Sequence, residues 1–252
     1  MILQNKPKIK QITFTGADDS CKPSTLANYS YVYPFIEWGI LFPSNNISRF
    51  PSKEWLRELV AVSTESKKFD SFPIKLSAHI CEPWVEGLIN GSMSYSDLEN
   101  EMGKETLQIF DRIQLNFHSY PYTSFTHKLS LLIQNNPDKE FILQLDGINN
   151  WIVNSISSDK ENASLLVDKS SGSGKFDNVW AEFANRKFGY AGGLDIKTLP
   201  LAIEKWKSLK QPLSWIDIES GVRDMAGGFC FKNIELIIKY LLPYIYTGQS
   251  EE

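Results

Sequence analysis

Residues 188–224 read FGYAGGLDIKTLPLAIEKWKSLKQPLSWIDIESGVRD, in which two short apolar runs flank one amphipathic stretch. The apolar runs at residues 188–190 and 215–218 are too short for helices, and a glycine-containing segment follows each of them. Residues 197–209 between them have the apolar spacing of an amphipathic helix. This order of strand, helix and strand predicts a βαβ unit with two parallel strands.

The same unit repeats along the chain. Apolar runs rich in Ile, Leu, Val and Phe alternate with helical segments, and nearly continuous apolar strands are typical of a parallel sheet buried on both faces. Residues 177–187 are ambiguous and are compatible with a short helix. The predicted strands are residues 11–15, 36–42, 74–81, 112–117, 141–145, 165–168, 188–190 and 215–218, and the predicted helices are 24–33, 52–67, 84–89, 97–110, 124–134, 147–157, 197–209 and 233–242.

Eight strands alternating with helices over 252 residues predict an α/β fold, a (β/α)8 TIM barrel that forms a single domain over residues 1–252. A doubly wound parallel sheet is the alternative architecture. The Ser- and Gly-rich segment at residues 169–175 directly follows the sixth predicted strand. We therefore interpret it as a loop between strand and helix, where barrels carry function, and not as a linker between domains.

Composition excludes several classes of protein. Twenty-six basic residues against thirty acidic ones give a net charge of −4, so no basic excess favours nucleic acid as a partner. No run reaches the ~18 uninterrupted apolar residues of a membrane span, and the first residues contain no apolar h-region, so we expect no secretory signal. Cys21, Cys81 and Cys230 form no CxxC pair, and no metal or organic cofactor signature is visible. We expect a cytoplasmic protein with no membrane contact.

Glycines after the last three predicted strands indicate a phosphate site. Ligands of TIM barrels bind at the carboxyl ends of the strands, and the loops after strands 7 and 8 commonly hold phosphate. Glycine exposes backbone N–H donors and places no side chain in the way of an anion. The alternative is that these segments are only tight turns. The expected phosphate-binding residues are Gly172, Gly174, Gly192, Gly193, Ser220 and Gly221.

Polar side chains at the strand ends are candidates for chemistry and substrate contact. Asp168 closes the sixth strand, and a carboxylate that ends a buried strand needs a partner or a function. We expect Asp168 to be catalytic. Asp217 on the eighth strand, together with Gln114 and Asn116 on one face of the fourth, is expected to contact the substrate.

Other candidates each have a structural alternative. Asp18, with Asp19 beside it, is a catalytic candidate or only a helix cap. Cys81 is a catalytic candidate or a small buried apolar residue, and His79 on the same face is a functional group or a hydrogen-bonded interior histidine. We expect Arg49 either to bind a substrate carboxylate or phosphate with two hydrogen bonds, or to be a solvated loop arginine. Asp146 directly precedes Gly147, and this pair is typical of a turn; a functional role for Asp146 is the second interpretation.

Five segments share features with one known family. They are EWGILFPSNNISRFPS at 37–52, IQLNF at 113–117, LLVDKSSGSGKFDNVW at 165–180, AGGLDIKTL at 191–199 and IDIESGVRD at 216–224. Together, in this order on strands 2, 4, 6, 7 and 8, they resemble phosphoribosylanthranilate isomerase, the tryptophan-pathway (β/α)8 enzyme. The resemblance implies that Arg49 contacts the anthranilate carboxylate and that Asp168 is the general acid of an Amadori rearrangement of an aminoaldose phosphate.

The chain departs from that family at three positions of the site. Thr15 in TFTG stands where the family has its general base, a cysteine, and a threonine hydroxyl is a poor base near neutral pH. Asn116 stands in place of a histidine, and Arg223 in place of a glutamate. Asp18, Asp19 or Cys81 are the candidate replacement bases. Three hypotheses follow: a diverged enzyme acting on a phosphorylated small molecule, a non-catalytic ligand-binding barrel, and a true isomerase with a substitute base.

Overall fold

Eight parallel strands close into a barrel in a computed structural model of the chain. The structure describes residues 8–42, 50–68, 73–116, 123–156, 162–168, 170, 175–176, 186–209 and 213–246. Each strand pairs with the next along the chain, and the eighth pairs with the first, which confirms the predicted (β/α)8 fold. The strands are β1 Ile12–Thr15, β2 Ile36–Phe42, β3 Lys75–Ile80, β4 Arg112–Leu115, β5 Glu140–Leu145, β6 Ala163–Val167, β7 Phe188–Tyr190 and β8 Trp215–Ile218.

The helices surround the barrel and bury one face each. In the second helix, for example, Trp55 and Leu59 are buried, and the hydroxyl of Ser52 caps the helix by accepting from the Trp55 amide at 3.1 Å. None of the helices within the described ranges combines the length and apolar character that spanning a membrane requires. The helices are α1 Pro23–Val32, α2 Lys53–Lys68, α3 Trp84–Asn90, α4 Tyr95–Met102, α5 Lys104–Gln108, α6 Thr123–Asn135, α7 Ile152–Ser155, α8 Leu199–Trp206 and α9 Phe231–Leu241.

Two predicted helices differ from the observed ones for local reasons. The predicted helix at 97–110 is two helices, α4 and α5, because Gly103 between them has a φ of 86°. The predicted helix at 147–157 is shortened to α7, because a carboxylate oxygen of Asp146 accepts from the Ile148 and Asn149 amides and forms a turn. The ambiguous stretch at 177–187 lies almost entirely outside the described residues.

The barrel separates two apolar regions. Side chains such as Ile12 and Phe14 point outward into the large core beneath the helices. Inside the barrel, Ile142, Leu166 and Trp215 form a smaller apolar cluster of their own. The Trp215 ring lies so close to the backbone of Gly189 that a Cβ there would be 2.4 Å from a ring carbon. This cluster divides the barrel interior, here called the lumen, into two ends.

An ion-pair network fills the end of the lumen at the amino ends of the strands. One guanidinium nitrogen of Arg112 lies 2.7 and 3.0 Å from the two carboxylate oxygens of Glu37, and another lies 3.3 Å from Glu140. The guanidinium carbon is 4.2 Å from the centre of the Trp215 ring. Residues at this end of a TIM barrel serve stability more than chemistry. The site is therefore sought at the opposite end.

Candidate functional site

The lumen beyond Trp215, towards the carboxyl ends of the strands, is lined with polar side chains. Successive residues of a strand point to opposite faces, so one residue in two of each apolar run faces inward. Buried polar groups are costly unless they are paired, so a polar lumen indicates a site and not only a core. The buried side chains that line it are Thr15, His79, Gln114, Gln144, Asp168 and Asp217.

Asp168 lies at the carboxyl end of β6 and is held by three donors. One carboxylate oxygen accepts from the Gln144 amide nitrogen at 2.9 Å. The other accepts from the backbone N–H and the hydroxyl of Ser170, at 3.1 and 2.7 Å. A Cβ on Gly192 would lie 2.9 Å from that second oxygen. The carboxylate is therefore fixed in orientation beside the glycine loop that follows β7.

Asp217 is also buried in the lumen, and its pKa is raised. The Thr15 hydroxyl donates to one carboxyl oxygen at 2.6 Å, and Nδ1 of His79 lies 4.0 Å from the other. Burial raises the pKa of Asp217 to about 8; the charges of Glu219 and Asp168 add to the shift, and the Thr15 hydrogen bond opposes it. Burial also lowers the pKa of His79 to about 3. At neutral pH Asp217 is therefore protonated and His79 is neutral.

The predicted substrate contacts on β4 lie next to Cys81. The amide nitrogen of Gln114 donates to the side-chain oxygen of Asn116 at 2.9 Å, and the Asn116 amide nitrogen lies 3.7 Å from the sulfur of Cys81. The side-chain carbonyl oxygens of Gln114 and Gln144 are buried and have no donor within the described part of the chain. Each such acceptor costs roughly 1–3 kcal/mol, which favours a lumen that takes up a polar ligand.

Asp18 and Asp19 have structural partners. One guanidinium nitrogen of Arg223 lies 2.6 Å from Asp18, and the other donates to the carbonyl of Gly16. The second carboxylate oxygen of Asp18 accepts from the amide of Ser20 at 2.9 Å. Asp19 accepts from the backbone N–H of Ser52 at 2.6 Å, at the start of α2. The pair of Asp18 and Arg223 joins the loops after β1 and β8, and leaves Asp18 poorly placed to act as a base.

The loops after β7 and β8 lie against each other and present backbone donors. β7 and β8 are paired, and a Cβ on Gly221 would lie 2.3 Å from the carbonyl oxygen of Leu194. Gly192 and Gly193 have φ values of 96° and 62°, a region that favours glycine. The backbone N–H groups of Gly192, Gly193, Ser220 and Gly221 donate to no acceptor among the described residues.

Three predicted site residues, Arg49, Gly172 and Gly174, lie outside the described residues. Sequence reasoning did not single out Gln144 and Ser170, the donors to Asp168. Two signals could have identified them: Gln144 lies near the end of β5, two residues before Asp146, and Ser170 comes two residues after Asp168. Over the described ranges, no group of three or more His, Cys, Asp or Glu side chains is placed to hold a metal ion.

A cavity of about 500 Å³ lies at the other end of the barrel. Its lining carries equal numbers of acidic and basic side chains, so it offers no net attraction to an anion. The basic residues are Lys75, Arg112, Lys139 and Lys187, and the acidic residues are Glu37, Asp111, Asp138 and Glu140.

No protein-family model matches the sequence, and no curated protein sequence matches it. The chain is similar in structure to a Rubisco-like protein from Rhodopseudomonas palustris, with 8% identity and a TM-score of 0.49 over 98% of this chain and 66% of that one. It is also similar to fructose-bisphosphate aldolase from Campylobacter jejuni, with 10% identity and a TM-score of 0.48 over 86% of this chain and 78% of that one. A third similar structure is a DUF72 family protein from Enterococcus faecalis, with 11% identity and a TM-score of 0.47 over 94% of this chain and 98% of that one. The chain spans 53% of the Pyrococcus horikoshii Rubisco chain and somewhat less than two thirds of the Rubisco-like chains it resembles.

Proposed function

We propose that this barrel binds a phosphorylated small molecule at the carboxyl ends of its strands and acts on it by acid–base chemistry with Asp168. The observation that carries the proposal is the set of four backbone N–H groups on the adjoining loops after β7 and β8. They have no acceptor within the described residues and lie beside a fixed carboxylate.

Backbone donors on two adjoining loops suit a phosphate group. Glycine amides approach an anion closely, and oriented N–H dipoles stabilise its charge without a net positive protein. The backbone of Lys175 and Phe176 packs on Gly193, so the loop after β6 borders the same place and brings a basic residue to it. Gly172, Gly174 and Arg49 belong to the proposed ligand contacts on sequence grounds alone.

Catalysis with Asp168 is favoured by its position. A ligand whose phosphate lies at the amides of Gly192 and Gly193 places its next atoms against Asp168, because Gly192 is in contact with that carboxylate. Gln114, Asn116 and Asp217 line the lumen into which such a ligand extends. A single positioned acid or base accelerates a proton transfer by ~10²–10⁴-fold.

The second candidate function is a barrel that binds this ligand without chemistry. Thr15 stands where the resembled family has its base, and its hydroxyl is committed to Asp217. Asp18 is paired with Arg223. These contacts disfavour Thr15 and Asp18 as bases, while Cys81 remains a candidate at the end of β3. The finer proposal, a phosphoribosylanthranilate isomerase with a substitute base, predicts that the chain restores growth to a tryptophan-requiring strain that lacks this isomerase.

Replacing Gly192 with Ala tests the phosphate site. The substitution puts a methyl group 2.9 Å from Asp168 and strains a φ of 96°, so the loop must shift its amides. A hydrogen bond to a charged group contributes ~1.5–3 kcal/mol, so calorimetric affinity for inorganic phosphate is expected to fall roughly tenfold or more.

Gly227→Ala is the matched control. Gly227 also has a positive φ, 84°, but a Cβ there meets no atom within 4 Å. We expect phosphate affinity in this variant to equal that of the wild type. Equal affinity in the Gly192→Ala and wild-type proteins, or no phosphate binding by the wild type, contradicts the proposed site.

A further inference from the structure

We propose that Asp217 is the second acid–base group of this site, hydrogen-bonded by Thr15 and faced by His79, two side chains that fill the space left open by Gly39. The inference rests on the proposed function, since it assigns the partner of Asp168 in the same lumen. It makes Asp217 the acid and Asp168 the base, so the site needs none of Asp18, Asp19 and Cys81 as a substitute for the base missing at Thr15.

The first support is the geometry around Gly39. A Cβ on Gly39 would lie 2.3 Å from the Thr15 hydroxyl and 2.8 Å from Nε2 of His79. Only glycine at this position lets both side chains enter the lumen, where each faces one oxygen of Asp217. Nε2 of His79 is in turn 3.0 Å from the Ser77 hydroxyl, which fixes the ring. Thr15 thus presents the carboxyl of Asp217 close to the place where the resembled family has its base.

The second support is the arrangement of charge. The titratable groups that act on Asp217 are Glu37 on β2, Asp168 after β6 and Glu219 after β8, all acidic, and His79 on β3 faces it uncharged. Among the described residues, none of the groups that shift the pKa of Asp217 is therefore a cation. Asp168, in contrast, accepts three hydrogen bonds, from Gln144 and from the backbone and hydroxyl of Ser170. Two carboxyl groups in unlike environments suit an acid and a base at one pH.

The third support is a buried hydrogen-bond acceptor next to Asp168 that a polar ligand could satisfy. Gln144, which donates to Asp168, is 5% exposed, and its side-chain carbonyl oxygen has no donor among the described residues. That oxygen is suited to accept from a ligand hydroxyl or amine between the two carboxyl groups.

These positions define a balanced proton exchange. Asp217 donates its proton to a ligand oxygen while Asp168 takes a proton from the adjacent carbon. The electron pair of the broken C–H bond forms a new C=C double bond, as the π pair of the ligand's C=O bond moves onto the oxygen that takes the proton. Asp168 then returns its proton to the neighbouring carbon, and a ligand hydroxyl returns one to Asp217. The result is an isomerisation that needs no oxidant or reductant.

Infrared spectroscopy of the full chain without ligand tests the state of Asp217. The wild type is expected to show the carbonyl band of a protonated carboxyl group at pH 7, and this band is lost with a midpoint near pH 8. Asp217→Asn lacks the band. Thr15→Val moves the midpoint to higher pH, because the Thr15 hydroxyl stabilises the ionised form, and Thr15→Ser restores it. Asp146→Asn, in the turn after β5, is the control and keeps the band.

Unfolding by urea gives a second measurement. The pKa of Asp217 is higher in the folded chain than the ordinary 3.8, so the folded chain binds more protons between pH 4 and 8. The stability that the neutral group contributes is complete below pH 4 and is lost as the pH rises through 8. Asp217→Asn is expected to remove this slope.

Proton exchange with pentose phosphates in D₂O, followed by NMR, tests the catalytic role. If the wild type exchanges carbon-bound protons, Asp217→Asn must lower the rate ~10²–10⁴-fold while calorimetric phosphate affinity stays unchanged. A band that persists in Asp217→Asn, a wild-type midpoint near pH 4, or exchange retained in Asp217→Asn overturns the inference. Phosphate binding without any exchange in the wild type also overturns it, whereas failure to bind phosphate overturns the proposed function.

Discussion

Asp168→Asn is expected to lower turnover of a phosphorylated substrate by ~10²–10⁴-fold and to leave phosphate affinity nearly unchanged. The variant removes the proton-transferring oxygen at the carboxyl end of β6 but keeps the size of the side chain. The rate to measure is proton exchange into pentose phosphates or loss of phosphoribosylanthranilate, with calorimetry for phosphate.

In Asp168→Asn, the donors on Gln144 and Ser170 face a side-chain amide in place of a carboxylate. A control must therefore separate the loss of proton transfer from a local change in structure. Ser170→Ala removes one donor to Asp168, at 2.7 Å, and keeps the carboxyl group. We expect it to retain most of the activity. Normal turnover in Asp168→Asn contradicts the assigned role of Asp168.

The largest loss of stability is expected from Arg112→Met. Arg112 and Glu37 are paired inside the barrel, and Glu37 is only 1% exposed. Removing one partner of a buried ion pair costs ~3–5 kcal/mol, because the other charge stays buried without compensation. Urea unfolding at pH 7 measures this change in the free energy of unfolding.

The double variant Glu37→Gln, Arg112→Met identifies the cause of that loss. Without the charge of Glu37 the double variant is expected to be more stable than Arg112→Met alone. Phosphate affinity is expected to stay at the wild-type level in every variant that folds, because this pair lies at the other end of the barrel. A loss below about 0.5 kcal/mol for Arg112→Met contradicts the account of the network.

The barrel was predictable from sequence because its strands are short apolar runs in a regular alternation with helices. Positions such as Gly103 and Asp146 altered helix ends through a positive φ and a side-chain turn, which apolar periodicity does not report. The end of β6 at Asp168 was equally visible, since an acidic residue directly after a buried strand is conspicuous.

The interior contacts were not predictable in the same way. Thr15 and Asp217 are 202 positions apart and meet only because β1 and β8 close the barrel. The partners of Asp18 and Glu37 are also remote in sequence, 205 and 75 positions away. The sequence does not distinguish Gly39 from other strand glycines, because its role depends on Thr15 and His79, which meet it from the two neighbouring strands. Pairing across a closed barrel depends on register, which one sequence does not specify.

The central claim is that the loops after β7 and β8 hold a phosphate group with their backbone amides. Titrating the ¹⁵N-labelled chain with inorganic phosphate and following each amide by NMR tests it most directly. The account predicts that Gly192, Gly193, Ser220 and Gly221 shift together with one dissociation constant. Shifts confined to Lys75, Lys139 and Lys187 at the opposite end, or no saturable shift in the four amides, would contradict it.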